Sequence, residues 1–430
     1  MSTDSDHRQR VLMLSWEYPP VLVGGLGRHV HALATALVAE GHDVTVVTRY
    51  GPQPDGSPSA LDETVDGVRI LRAPDDPPLF PFSNSTLIQW TLAFNHALTR
   101  AGLTAARTQD FDVIHAHDWL VTHAAVTLKH HLDLPLVATI HSTEAGRHHG
   151  WLPDDTSRQI HSIEWWLTYQ SRTVLTCSEH MRWEVNHLFD PPTDKTVAIP
   201  NGVDPAAFAV APDRVAAARA HHSDRPHLVF AGRLVHEKGV QDLLDATAHL
   251  ISRHPGLTVS IAGEGPHEEE LRDQADRLGL GTTVNFLGFL DGPRLPELLA
   301  SADCFVMPSR YEPFGMVALE AMAAGAPVVA GRCGGLAEFI VDGVTGLSHE
   351  PGNVAELTAA VDRVLTDRTL ADTLRAAGGA MISERFSWGP IARRTVAAYR
   401  RATVAERQIN ARLAAEELRI VIPEGNLLDR

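Results

Sequence analysis

Short apolar runs recur along the chain, each followed by a polar or glycine-rich turn and then by a stretch with apolar residues at helical spacing. In the first half the runs are VLMLSW (11–16), DVTVVT (43–48), GVRILR (67–72), DVIHAHDW (112–119), LPLVATIH (134–141), TVLTCS (173–178) and KTVAIP (195–200). A turn-rich stretch, NGVDPAAF, interrupts the rhythm. It restarts with HLVFAGRL (227–234), LTVSIAGEG (257–265), TVNFLG (283–288), CFVMPS (304–309) and PVVAG (327–331). Strands alternating with helices predict parallel sheets covered on both faces. We therefore expect an α/β protein with two Rossmann-like doubly wound domains, residues 1–203 and 204–385, facing each other across a central cleft. Expected helices include Arg28–Ala39, 86–102 and the segment after Ser178, whose hydroxyl is placed to cap it. Residues 386–404 read as a helix returning to the first domain, and 405–430 as a charged tail.

Composition narrows the class without changing the architecture. A chain of 430 residues exceeds one typical core, and 44% apolar with 21% charged residues is ordinary for a soluble globular protein. The formal charge of −16 argues against nucleic acid or an anionic membrane surface as main partners, since both select a basic footprint. The opening MSTDSDHRQR followed by VLMLSW is too short an apolar run for a signal peptide or a stable membrane insertion. The helix at 86–102 carries only Arg100, where a peripheral membrane helix needs a basic face. Cys177, Cys304 and Cys333 form no C-x-x-C, which suits a reducing compartment, and the expected location is cytoplasmic. Only three lysines occur, Lys129, Lys195 and Lys238, so each merits a reason.

Candidate chemistry gathers at strand-to-helix turns, where open α/β sheets place their ligands. The stretch SRYEPFGMVALEAMAAG (309–325) puts Glu312 in such a turn and Glu320 on the helix it leads into, suiting a sugar and a ribose joined by a diphosphate. Gly24, Gly25 and Gly27 form a second turn, where the backbone can approach a phosphate at a helix start. This is not the dinucleotide fingerprint, because Val30 stands where its third glycine would be. Arg233 and Lys238 lie beside a helix N-terminus, which disfavours cations unless an anion compensates them, and a bound diphosphate would do so. His115 and His117 share one side of their strand, but no third ligand is suggested nearby, so hydrogen-bonded cleft residues are preferred over a metal site. The D-x-D of Asp110 and Asp112 precedes its strand, on the wrong edge for a ligand crevice. His141 ends a strand facing the crevice.

These motifs resemble retaining glycosyltransferases of the two-Rossmann-domain (GT-B) type, family 4, over roughly residues 10–400. The combination of GGLG, GRLVHEKG and E-x7-E is far more specific than any one of them. The resemblance implies a nucleotide-diphosphate-sugar donor as co-substrate, no required cofactor and no essential metal. It implies that Arg233, Lys238 and the main chain of Gly25, Leu26, Gly27 and of Phe314, Gly315, Met316, Val317 stabilise the leaving diphosphate. It assigns Glu312 to sugar hydroxyls, Glu320 to the ribose, the backbone near Leu290 to the base, and His141 to the side of the reacting carbon. SWEYPPVLVGGLGRHVH and TIHSTEAGRHHGW look like actinobacterial glycogen-synthase-like α-1,4-glucosyltransferases, implying UDP- or ADP-glucose and a glucan or oligosaccharide acceptor. Bacterial glycogen synthases proper carry a lysine before the paired glycine, and here that position is Val23. Asp118, Trp119, Glu144 and Arg147 are the expected acceptor-side residues, because they follow first-domain strands. Rival readings are a mannosyl- or N-acetylglucosaminyltransferase acting on a lipid or small alcohol, a sugar-nucleotide epimerase, and a non-catalytic sensor.

Overall fold

The structure, a computed structural model, describes residues 8–74, 80–220, 225–290 and 292–417. Two sheets carry it. The first contains β1 (Arg10–Leu14), β2 (Asp43–Arg49), β3 (Asp62–Val65), β4 (Val68–Ala73), β5 (Val113–His117), β6 (Leu136–Ile140), β7 (Thr173–Thr176) and β8 (Thr196–Ala198), in the order β3-β4-β2-β1-β5-β6-β7-β8. The second contains β9 (His227–Ala231), β10 (Thr258–Ala262), β11 (Val284–Gly288), β12 (Cys304–Met307), β13 (Val328–Gly331) and β14 (Leu347–His349), in the order β11-β10-β9-β12-β13-β14. Every pairing is parallel except β3 with β4. In both sheets the order reverses beside the first strand, β1 or β9, and at such a switch point the loops part and leave a crevice.

The central strands are continuous apolar runs because helices cover both faces. Leu12, Leu14 and Ile114 join one core with the helix Leu87–Ala106, while Val11, Met13, Val113 and Val137 join another on the opposite face. That second core is completed by Ile391, Val396, Tyr399 and Ala402 of the long helix Trp388–Glu417. The returning helix expected from the sequence is therefore present, and it runs on through Glu417 into what read as tail; residues 418–430 lie outside the description. In the second sheet, Leu228, Phe230 and Val306 pack on one side and Val229, Phe305 and Met307 on the other. This last cluster also contains Met181, Val185 and Phe189, so apolar packing joins the two domains at one end of the cleft.

Two strands escaped the sequence reading. β3 is an exposed polar edge strand with no apolar alternation, hairpinned to β4 through Asp66 and Gly67, both at positive φ. β14 is three residues long, below the length at which an apolar run stands out.

Candidate functional site

The chain leaves β1 through Ser15, Trp16 and Glu17 and enters the glycine loop. Glu17 is 3% exposed, and its Oε2 accepts the N–H groups of Val23 (2.8 Å) and Gly24 (2.9 Å). Burial raises its pKa, while those N–H groups lower it. One buried carboxylate thus shapes the loop. The helix begins at Gly25, three residues before the expected Arg28, and extends to Ala39. Gly25, Leu26 and Gly27 are consequently its first turn, whose N–H groups lack intrahelical partners. The N-cap residue, Gly24, has no side chain to cap it, and the Glu17 carboxylate lies against the turn instead. At Gly27 a Cβ would lie 2.6 Å from Leu22 Cδ2 and 3.0 Å from Glu17 Cβ, so a larger residue there must displace the Leu22 side chain and crowd Glu17.

Across the cleft, β12 runs into Tyr311, Glu312, Pro313 and Phe314, and the helix Met316–Ala323 starts after Gly315. Gly315 has φ +103°, and a Cβ there would meet Leu336 Cδ2 at 2.4 Å. Again no side chain caps the helix. A Cβ on Gly25 would touch Met316 Sδ at 3.5 Å, so the starts of the two helices lie close across the cleft. Phe314 and Leu290 turn their side chains into the core and leave only main chain to a ligand, while Met316 and Val317 are partly buried.

The two pairs of charges that read separately in the sequence are brought together. Lys238 Nζ lies 2.6 Å from Glu312 Oε2, with side chains 16% and 8% exposed. The compensating anion expected from a ligand is thus already supplied to Lys238 by the protein. Arg233 is half exposed, with Glu237 3.9 Å away. Glu320 is buried, and Arg28 of the opposite domain reaches it, with Nη1 at 3.2 Å from Oε1. Desolvation raises the Glu320 pKa, and Arg28 opposes that rise.

His141 sits at the end of β6, in a group larger than the sequence suggested. His117 Nδ1 and His141 Nε2 share a 3.1 Å hydrogen bond, and His29 packs edge-on to His141 at 4.7 Å between ring centroids. Contrary to the expectation from the sequence, His117 does have further potential ligands beside it: ligand atoms of His29, His117 and His141 all fall within 4.8 Å of one another. Burial lowers the pKa of each, which favours the neutral rings that share a proton between nitrogens. A cation held by all three would break the His117–His141 bond. His115 lies on the same side of β5, its ring centroid 4.1 Å from that of His117, and is hydrogen-bonded to Tyr399 Oη (2.8 Å) and Thr139 Oγ1 (2.7 Å).

Of the acceptor-side candidates, Asp118 is half-buried with φ +60° and accepts the His141 N–H at 2.7 Å, so it shapes the turn that presents His141. Trp119 is 5% exposed and packs in the first-domain core with Leu120 and Ile114. Glu144 and Arg147 bind each other at 2.8 Å on the short helix after β6. Sequence reasoning missed what stands behind them. Glu164 Oε1 accepts the Glu144 N–H at 2.9 Å, and burial pushes the Glu164 carboxyl up to about 8. Glu184 Oε1 accepts the hydroxyls of Thr143 (2.5 Å) and Tyr311 (3.0 Å), bridging the domains next to Glu312. Both glutamates lie on helices at ordinary solvated-looking positions, and no local signal marks them.

A cleft between two parallel-sheet domains is the hallmark of the GT-B glycosyltransferases, and solved proteins of this architecture match along the chain. Sucrose-phosphate synthase from Thermosynechococcus elongatus gives a TM-score of 0.79 at 25% identity, covering 93% of this chain and 100% of that one. HepE of Anabaena, solved with UDP-glucose, gives 0.73 at 22% (91% and 99%), and the catalytic domain of starch synthase IV of Arabidopsis thaliana, bound to ADP and acarbose, gives 0.72 at 20% (93% and 100%). Residues 23–207 match the model for Glycosyltransferase Family 4 and residues 213–380 that for Glycosyl transferases group 1. Among curated relatives, glycogen synthase of Mycobacterium tuberculosis is 45% identical over 415 residues, 95% of this chain and 98% of that protein. D-inositol 3-phosphate glycosyltransferase of Kineococcus radiotolerans is 31% identical over 424 residues, 92% and 95% respectively. The chain belongs to the family 4 glycosyltransferases and is glycogen-synthase-like within them. No helix among the described residues is long and apolar enough to cross a membrane.

Proposed function

We propose that the protein is a retaining glucosyltransferase, moving glucose from a nucleoside-diphosphate glucose to a glucan or oligosaccharide with α-1,4 linkage. The observation that carries this reading is the likeness to glycogen synthase over nearly the full length of both chains. The ligands of HepE and starch synthase IV support UDP-glucose or ADP-glucose as donor. In the proposed reaction the acceptor hydroxyl oxygen bonds to the anomeric carbon on the face from which the diphosphate leaves. The carbon–phosphate-oxygen bond breaks, and the acceptor proton passes to the departing phosphate. Arg233, Lys238 and the N–H groups at Gly25–Gly27 and Phe314–Val317 neutralise the charge that develops there, so no metal is required. Glu312, steadied by Lys238, holds sugar hydroxyls, Glu320 the ribose and the main chain near Leu290 the base. The carbonyl side of His141 faces the reacting carbon, and Asp118, Glu144 and Arg147 form the acceptor side.

Product NMR tests this. The purified protein is incubated with UDP-glucose, ADP-glucose, GDP-mannose or UDP-N-acetylglucosamine, each with and without malto-oligosaccharides. A new α-1,4 linkage from a glucose donor, with acceptor-dependent release of nucleotide, is expected. Transfer only to a small alcohol such as an inositol phosphate, or donor conversion without acceptor, would overturn the glucan reading.

A further inference from the structure

The first-turn arginine of the glycine-loop helix has no role in the scheme above, yet it is the side chain that touches Glu320 from the opposite domain. Arg28 Nη1 lies 3.2 Å from Glu320 Oε1 and 3.3 Å from Oε2, so one N–H straddles both oxygens. The arginine side chain is 36% exposed, whereas that of Glu320 is 4% exposed. The cation is therefore the partly solvated member of the pair and the carboxylate the buried one. Burying Glu320 without a partner is costly, and Arg28 supplies the compensating charge. A ribose bound at Glu320 would bring its own hydroxyls to the same oxygens and release the arginine's claim on them. The diphosphate attached to that ribose would enter between the helix starts at Gly25 and Met316, which come close to each other within one turn of Arg28. A guanidinium is suited to this exchange, because its planar fork matches phosphate oxygens as well as it matches a carboxylate.

We propose that Arg28 is a third donor-binding cation, parked on Glu320 while the nucleotide site is empty and transferred to the diphosphate when donor binds. This rests on the nucleoside-diphosphate-sugar reading given above. It also makes the first domain contribute a charge, in addition to main-chain N–H groups, to a leaving group otherwise served by the second domain's Arg233 and Lys238.

Calorimetric titration of wild type, Arg28→Ala and Arg28→Lys with UDP, ADP, uridine and adenosine tests the assignment. For the diphosphate that wild type prefers, Arg28→Ala is expected to weaken binding roughly 10- to 100-fold, the range of a charge-assisted hydrogen bond. The matching nucleoside should change less than about threefold, a bound set by losing only weak contacts. Arg28→Lys, which keeps the charge without the fork, should recover part of the loss. Diphosphate affinity unchanged in Arg28→Ala would overturn the proposal. So would an equal loss for nucleoside and diphosphate, because Arg28 would then act only by orienting Glu320 toward the ribose. A wild-type protein that binds neither UDP nor ADP would instead overturn the donor reading itself, and the role of Arg28 with it.

Discussion

Lys238 and Glu312 show how much one buried pair is asked to do. Lys238 is placed both to neutralise a leaving diphosphate and to hold the carboxylate that grips the sugar. Lys238→Ala should reduce turnover by roughly a hundredfold or more, comparable to removing one oxyanion donor. It should also lower stability by about 3 kcal/mol, because Glu312 is left buried without its partner. Steady-state kinetics and urea unfolding read the two effects separately, and near-normal turnover would refute the catalytic role. His115 makes a prediction of a different kind. Burial holds it at about 3 against an ordinary 6.5, so between those values the unfolded chain binds a proton that the native state does not. Stability from this residue is full above pH 6.5 and declines by about 1.4 kcal/mol per pH unit as the pH falls toward 3. His115→Gln should flatten the pH dependence of unfolding by about one proton in that window. At this scale the sequence was readable wherever chemistry sits in a turn with glycine or proline, as for Glu312, Lys238 and Gly27. Arg28, Glu164 and Glu184 were not readable, because their partners come from elements twenty or more residues away, or from the other domain.

Elements were legible in proportion to their burial. Strands covered on both faces, such as β1, β9 and β12, are unbroken apolar runs, and periodicity alone locates them. β3 has one solvated face and no apolar signal, although the Asp66-Gly67 pair at its end is a strong hairpin mark that could have revealed it. The start of the helix Gly25–Ala39 was misplaced because glycine weakens helix propensity, and here the geometry of the loop outweighs it. Where β9 and β10 end, their turns cross at close quarters. Gly263 has φ +134°, and a Cβ on it would lie 1.9 Å from the carbonyl oxygen of Gly232. Gly263→Ala must push back the backbone that carries Arg233. It is expected to destabilise the protein by about 2 kcal/mol and to weaken donor binding as well. A drop in the urea midpoint with unchanged donor affinity would show that the turn does not position Arg233.

For the molecule as a whole, two domains and a cleft follow from a strand–helix rhythm that runs, stops and restarts. How the domains meet does not follow from it. The bridge of Thr143, Glu184 and Tyr311, the pair of Arg28 with Glu320, and the packing of Met181 and Phe189 with second-domain residues are all products of tertiary approach. The long C-terminal helix belongs to this scale. Tyr399 is fully buried in the first domain's core, with its hydroxyl on His115. Tyr399→Ala should cost about 3–5 kcal/mol, the usual loss for a large core aromatic. Amide exchange should accelerate first in β1, β5, β6 and β7, while β9, β10 and β12 keep their protection. Uniform acceleration in both sheets would mean that the domains unfold as one unit.

The position of that helix also constrains how the protein is made. Domains generally fold as they leave the ribosome, at roughly 5–20 residues per second. Here the first domain's sheet has emerged by Ala198, but the residues that cover its inner face, Ile391 to Ala402, follow only after the second domain has been synthesised. For about 10–40 seconds at that rate, this core has Val30, Leu33 and Leu37 of the helix Gly25–Ala39 but lacks Ile391, Val396, Tyr399 and Ala402, and His115 lacks its Tyr399 partner. Until the C-terminal helix arrives, this unfinished face is the part of the chain most open to non-native apolar contacts.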